Sequence, residues 1–416
     1  MHNKLLFLFG GLSLTAALLA QPKPGDWFRE YTWTLPQLEK NEKFLRVGGR
    51  FDYRLQTPQF EESQYKEGWI ILPGNLDLKN ALRAEVMVEK NLCHDYTTGL
   101  AISFNENEHI RFPEAGGIPA PQESYMHHTF PNVEIPLDHL KEGQENYFSL
   151  EVDSFQHWNW PQNLVYGLKL RVYYEVNQKD LPRVIYKGQN EQSQTLSFSV
   201  EYKDPDKIEK VDYLGYYEGP DMNGDGIFKE WHYGWFRGEM RYHIGSTSEL
   251  PLDCTWKTEW IPDQKEDIKV AARVTFTEND LVYFTEAIEG VKLERVDAVH
   301  FCMPYNIPQQ WITRNQEYSS LFYFDGETEN IEEIKIVWRS WSPGYMNGLY
   351  LNDLLFFVRE GGKYVYYDHE IVIDDPGIIS ILNKGINSIK TGKTPRYNWE
   401  MVHGMDVFYP GPMILI

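Results

Sequence analysis

The chain is 416 residues long and carries 61 acidic against 40 basic side chains, a formal net charge of −21. A surface this acidic repels nucleic acid and anionic lipid, and no basic stripe offsets it, so nucleic-acid binding is excluded. Apolar residues at 42 % and aromatics at 15 % are ample for packed cores, and the length exceeds what one core usually serves, so two or three domains are expected rather than disorder.

Residues 1–20 read as a secretory signal: Lys4 sits in a short charged region, an apolar run extends from Leu5 to Leu19, and Ala20 precedes Gln21. The run is too short to span a bilayer, no second one follows, and no cysteine at the cleavage point suggests a lipid anchor. The protein is therefore expected to be secreted or periplasmic, without membrane insertion. Cys93, Cys254 and Cys302 fall one in each third of the chain. Such an odd, dispersed set is neither a disulfide framework nor a zinc site, and the cysteines read as small buried hydrophobes.

From residue 21 onward the periodicity is that of strands. Apolar and polar residues alternate over 84–88, 168–172, 269–274 and 334–338, each bounded by turn-forming residues. Helical spacing is scarce, with one turn expected over 378–382. Two stretches about 240 residues apart resemble each other. The first runs from Gly99 through HHTFPNVEIPLDHLKEGQENYFSL at His127, and the second from Gly348 through YDHEIVIDDPGIISILNKGINSIKTG at Tyr367. In each, an apolar strand leads into a Leu- and Gly-containing turn that ends on Asn146 or Asn387. Two copies at so long a period make a duplicated β-unit, not a solenoid. The expected division is a first unit over 21–176, a polar linker over 177–194, a middle segment over 195–295 and a second unit over 296–416.

The middle segment carries TLSFSVEY from Thr195, KVDYLGYYEG from Lys210, IGSTSELPLDCTWKTEWIPDQ from Ile244 and IKVAARVTF from Ile268. This order resembles the Ig-like modules that sit between catalytic and binding domains in bacterial secreted glycan-degrading proteins. The flanking units, with Ser103-Phe104-Asn105 before Ile135-Pro136 and Leu351-Asn352-Asp353 before Ile371, resemble galactose-binding-type jelly rolls. Together the resemblances imply an all-β chain, two jelly-roll β-sandwich units flanking an Ig-like β-sandwich, and a sugar-binding role without a located site.

The sharpest short motif lies in the middle segment: Asp221-Met222-Asn223-Gly224-Asp225-Gly226-Ile227. Oxygen ligands at alternate positions, Gly at the sixth and the Ile227 backbone carbonyl at the seventh match the first half of an EF-hand-type calcium loop. Position twelve is His232 rather than glutamate, and Glu230 is the nearest acid. A structural Ca2+ is the expected occupant; an ordinary Asn-Gly and Asp-Gly turn is the other reading.

Six histidines (His94, His109, His127, His128, His139, His157) crowd residues 94–157, accompanied by Arg111, Glu114, Glu123 and Tyr125. Converging, they could supply a base near neutral pH; on a regular strand, however, His127 and His128 point to opposite faces. Aromatic groups concentrate at Phe155, Trp158, Trp160 and Tyr166, and again at Trp231, Tyr233, Trp235 and Phe236, where they serve either as sugar-stacking platforms or as core.

Two function classes follow. The preferred one is a secreted protein that binds polysaccharide or oligosaccharide through the first unit and the middle aromatic patch, with Trp158, Trp160, His127, Trp231 and Trp235 as ligand contacts. The alternative is a glycan-active enzyme. A polysaccharide lyase would use His128, Tyr125, His94 and Arg111, and a glycoside hydrolase would need facing carboxylates, for which Glu114 and Glu123 are the candidates.

Overall fold

The computed structural model describes residues 21–35, 45–47, 53–55, 65–66, 69–92, 99–118, 127–153, 163–190, 194–308, 317–341, 343, 348–357, 366–391 and 406–416. Every strand pairing described is antiparallel, and the fold is all-β. Among the described residues the one α-helix is the single turn Pro376–Ile379, whose Asp375 cap accepts the amides of Gly377 and Ile378. It begins two residues before the expected turn.

In the first unit the strands Asn132–Ile135, Ala81–Leu92, Asn163–Tyr174 and Trp27–Thr34 lie side by side, facing a smaller sheet built on Trp69–Leu72, Asn146–Glu151 and Ala101–Phe104. Alternation drives the packing. Ala84, Val86 and Val88 from one strand and Leu168, Leu170 and Val172 from its neighbour turn inward onto Phe104 and Phe148. Trp33 closes this core edge-on to Phe148, with ring centroids 5.4 Å apart. Burying each such ring contributes about 2–3 kcal/mol. The last unit repeats the scheme, packing Ile336 and Trp338 of Ile334–Trp341 against Phe322, Leu351 and Ile389 of the opposing sheet.

The middle segment does not stand apart from the first unit. Trp27–Thr34 pairs with Asn163–Tyr174 along one edge and with Leu281–Phe284 along the other, so one sheet continues through Ile268–Phe276 and Ile208–Glu218. The residues expected to form a linker contain the strand Arg183–Asn190, which pairs with Thr195–Glu201 and delivers Val184 to the middle core. Its other residues are mostly polar, which gives it the composition of a linker. Cys302 is buried in the last core and Cys254 is partly buried against the middle one. Burial pushes their thiols up to about 12 and about 11, so both stay protonated. Cys93 lies outside the described residues.

The duplicated turn holds a duplicated polar clamp. In the first unit the Asn105 amide donates to the carbonyl of His139 and to Asn146 Oδ1, while Asn146 accepts the Lys141 amide and donates back to the carbonyls of Lys141 and Gln144. In the last unit Asn352 donates to the carbonyl of Ile381 and to Asn387 Oδ1, and Asn387 accepts from Asn383 and donates to the carbonyls of Asn383 and Gly385. Asn105 and Asn352 both have positive φ, at 51° and 44°, which asparagine tolerates and most residues do not. Replacing Asn387 with alanine is expected to destabilise the last unit by about 1–3 kcal/mol, because buried backbone donors and acceptors lose their partner. Denaturant unfolding of the variant measures this, and an unchanged midpoint would contradict it.

Candidate functional site

Alternation also creates a second face on the continuous sheet, carrying Glu30, Glu85, Glu89, Lys169, Arg171, Asp212 and Arg273. A solvated face is the simple expectation, yet these side chains are almost wholly enclosed. Residues 219–243 fold across them. Trp231, Tyr233 and Met240 pack on Phe28, Tyr173 and Leu214, and Trp235 lies 4.0 Å beneath the Lys169 ammonium. Arg171 joins Glu30 and Glu85 at 2.8 Å each, and Arg273 reaches Glu30 at 2.7 Å. Burial acts to raise the Glu30 carboxyl, but Arg273, Lys169 and Arg171 outweigh it and hold the group well below the usual carboxylate range. Burial lowers Lys169 to about 8.

This layer corrects one ligand-binding expectation: Trp235 is 5 % exposed and offers no ring face to a sugar. Trp231 is partly exposed and lies T-shaped to Tyr216 and Phe284. The density of aromatics there reflects a cover over buried charge. Tyr166 is likewise buried, its hydroxyl accepting from the Asn91 amide.

At one end of the insertion the calcium-type motif forms a tight loop. Asp221 Oδ1 accepts the amide of Gly224 at 2.6 Å, its Oδ2 accepts that of Gly226 at 2.8 Å, and Asp225 Oδ1 accepts that of Ile227 at 2.8 Å. Gly224 and Gly226 adopt φ of 73° and 83°, the left-handed turns the motif requires. Glu230 enters from the strand Lys229–His232 and is tied to Asn223 Nδ2 at 2.9 Å. Ligand atoms of Asp221, Asp225 and Glu230 lie within 4.8 Å of one another. Burial, then the neighbouring Asp225 charge, raises Asp221 to about 7; burial raises Asp225 to about 6 and Glu230 well above its ordinary value. Three converging carboxylates, Asp221 buried and Asp225 and Glu230 partly buried, repel one another as anions, and a hard divalent cation is the group that suits them. His232, at the motif's twelfth position, turns away: its ring is stacked on Tyr217 and its Nε2 contacts the Tyr217 carbonyl at 2.9 Å.

The histidine cluster resolves into separate environments. His127 and His128 are both 2 % exposed. His128 Nε2 lies 3.0 Å from Glu89 Oε1, and Arg339 Nη1 faces its Nδ1 at 3.4 Å. A guanidinium only donates, so Nδ1 accepts and Nε2 carries the proton towards Glu89. Burial, then the Arg339 charge, pushes His128 well below its usual value, while burial pushes Glu89 up to about 8. With both ring nitrogens engaged and no exposed edge, His128 is a packing residue of the junction between the first and last units rather than an accessible base. Strand register puts Glu89 and Arg339 at matching positions of the two copies, counting from the pairs Ile135 with Ala84 and Ile373 with Ile334. Neither was singled out from the sequence; the register of the duplication is the signal that could have found them.

Arg111 and Glu114 are exposed, and Arg111 is ion-paired with Asp153 rather than aimed at His128. His94, Glu123, Tyr125, Phe155, His157, Trp158 and Trp160 lie outside the described residues, as do residues 1–20.

A surface the sequence reading passed over lies on the outer side of the first unit's smaller sheet. Tyr147, Ser149 and Glu151 share that face by strand alternation, beside Trp69 and Ile71. His109 bridges them, its Nε2 3.2 Å from Ser149 Oγ and its Nδ1 3.5 Å from Glu151. The order serine, histidine, acid is that of a nucleophilic relay, but Ser149 is 1 % exposed beneath the ring, so it orients His109 instead of attacking a substrate. The alternation in NYFSLE from Asn146 is the signal for this face.

No protein-family model matches the chain. No curated protein matches it either. Among solved structures, a beta-porphyranase of glycoside hydrolase family 86 from the human gut bacterium Bacteroides plebeius is similar at 12 % identity, over 58 % of this chain and 37 % of that one, with a TM-score of 0.21. The structure of BuGH86wt in complex with neoagarooctaose gives 12 % identity, 57 % and 33 % coverage, and a TM-score of 0.21. The glycoside hydrolase domain of Endo-D from Streptococcus pneumoniae R6 gives 10 %, 64 % and 38 %, and 0.25. The chain thus spans less than two fifths of the length of each. At such identities and TM-scores the likeness assigns no role to any residue.

Proposed function

We propose that the protein is an exported glycan-binding protein whose first β-unit carries the sugar surface and whose insertion holds a structural calcium ion. One observation carries the binding reading: Trp69 and Tyr147 stand on the same sheet face as His109 and Glu151, whose polar atoms are already fixed by Ser149 and by each other. Sugar rings stack their C–H faces on aromatic rings while ordered polar groups take the hydroxyls, and groups held in place beforehand lose little freedom on binding. Among the described residues, the groups best suited to acid–base chemistry, Glu89 and His128, are enclosed in the junction. That favours binding over turnover.

For calcium, Asp221, Asn223, Asp225, Glu230 and the Ile227 carbonyl are the proposed ligands, and the ion's role is to neutralise the carboxylates at the head of the insertion. The binding test is affinity electrophoresis in gels cast with individual polysaccharides. Wild-type protein is expected to be retarded by at least one glycan, and Trp69→Ala with Tyr147→Ala to weaken that retardation about tenfold or more. Retardation unaltered in the double variant would place the surface elsewhere and overturn this assignment.

A further inference from the structure

The first and middle units share one sheet and the cluster of Phe28 and Tyr173 with Leu214, whereas the last unit keeps its own apolar core and meets the others in two places: around residues 219–243, and directly on the first unit, where Arg339 faces His128, His128 packs on Tyr366 and Phe408, and the Tyr409 hydroxyl donates to the Gly117 carbonyl. Towards the first unit, Gly226 and Gly117 meet backbone to backbone, so that a methyl group on either would drive into the other's main chain. The Arg237 amide donates to Glu89 Oε2 at 2.7 Å. Towards the last unit, the Asp221 amide points at Met413 Sδ at 3.2 Å, and a methyl on Gly224 would strike the Arg339 guanidinium. Phe236 stacks on Tyr366 at 5.3 Å and the Tyr242 hydroxyl donates to Asp368 at 2.7 Å. The other described contacts between the middle and last units include Lys335 over Trp260 at 5.7 Å and the Asp263 amide on the Val299 carbonyl at 2.9 Å, the latter beside the connecting chain.

We infer that the insertion is a keystone: it holds the last unit in one orientation on the other two, and loosening it frees that unit as a folded body. The joint is polar and aromatic rather than a continuous apolar core, and interfaces of that kind between domains separate unless they are specifically locked. The close approach of Gly117 and Gly226 supplies the steric lock of the insertion on the first unit, and the Tyr242 hydroxyl with the Arg241 guanidinium on Asp368 supplies the polar lock on the last. The last unit retains its Asn352–Asn387 clamp and its own core when released. The relative orientation of the duplicated units is then a property that one loop controls.

The test uses the full chain. Gly226→Val wedges the steric lock; Tyr242→Phe with Asp368→Asn removes the polar lock without adding bulk, should the wedge block folding. Calorimetry, small-angle scattering and limited trypsin digestion at Arg295 are read on each. Wild type is expected to show one transition and slow cleavage. The variants are expected to show an added lower transition, a larger radius of gyration, and cleavage at least about tenfold faster that releases a folded C-terminal fragment. Variants indistinguishable from wild type would overturn the inference, as would variants whose last unit loses its near-ultraviolet dichroism together with the rest. Gly226→Val also disturbs the acidic loop, whereas Tyr242→Phe with Asp368→Asn leaves every proposed calcium ligand in place, so the result of the second variant stands apart from the calcium reading.

Discussion

Replacing Arg171 with methionine is expected to cost about 3–5 kcal/mol of folding stability, the largest effect of any single substitution in the charged layer. Arg171 is fully buried and contacts Glu30 through Nε and Glu85 through Nη1, both at 2.8 Å. Removing it leaves two carboxylates under Trp235 and Tyr233 with part of their compensation gone. Glu30 retains Arg273 at 2.7 Å, so the heavier burden falls on Glu85, which keeps Arg83 at 3.2 Å and the Tyr173 hydroxyl at 2.7 Å. Burial already raises the Glu85 carboxyl, and without Arg171 it takes a proton instead of staying charged. Adding Glu85→Gln should therefore recover part of the loss, a coupling that a double-mutant cycle reads directly. A loss under about 1 kcal/mol for the single variant would mean that the layer is hydrated and the cover loose.

The second large effect is the joint dependence of stability on pH and calcium. Asp221 and Asp225, raised to about 7 and about 6, hold protons in the folded chain at pH values where the unfolded chain has lost them. Between about pH 4 and pH 7 the native state is the more protonated one, so in a chelator stability falls as pH rises through that window, by up to about 7 kcal/mol for the pair. Glu230 adds to the fall in the same direction, and Glu89, raised to about 8, extends it upwards. Calcium reverses the contribution of the loop, because a bound cation favours the ionised carboxylates and displaces their protons. Its stabilisation is expected to be small at pH 5 and to reach about 2.7 kcal/mol at pH 8 when calcium is a hundredfold above its dissociation constant. Melting temperatures across pH with calcium or chelator measure both arms. Identical profiles in the two would remove the metal, and Asp225→Asn should flatten the difference.

The strands over 84–88, 168–172, 269–274 and 334–338 were legible because an apolar residue recurs at every second position, and they occupy Ala81–Leu92, Asn163–Tyr174, Ile268–Phe276 and Ile334–Trp341. The duplication was legible too, since Asn146 and Asn387 recur after like turns and make the same bonds. Alternation does not reveal what covers a polar face. Glu85, Lys169 and Arg171 read as solvated positions, and only the fold of residues 219–243 encloses them. For the same reason Trp235 looked like a platform. The junction of Glu89, His128 and Arg339 joins residues more than 200 positions apart, beyond the reach of any local pattern. The acidic loop was legible at Asp221, Asn223 and Asp225; Glu230 completes it from a strand rather than from the helix that the calcium motif ordinarily uses.

The measurement that bears most directly on binding without cleavage is incubation of the purified protein with a panel of polysaccharides, followed at once for retention, for unsaturated-uronate absorbance and for new reducing ends. The account predicts retention on at least one glycan with neither product signal above a blank. Either product formed by wild-type protein above the blank would contradict it.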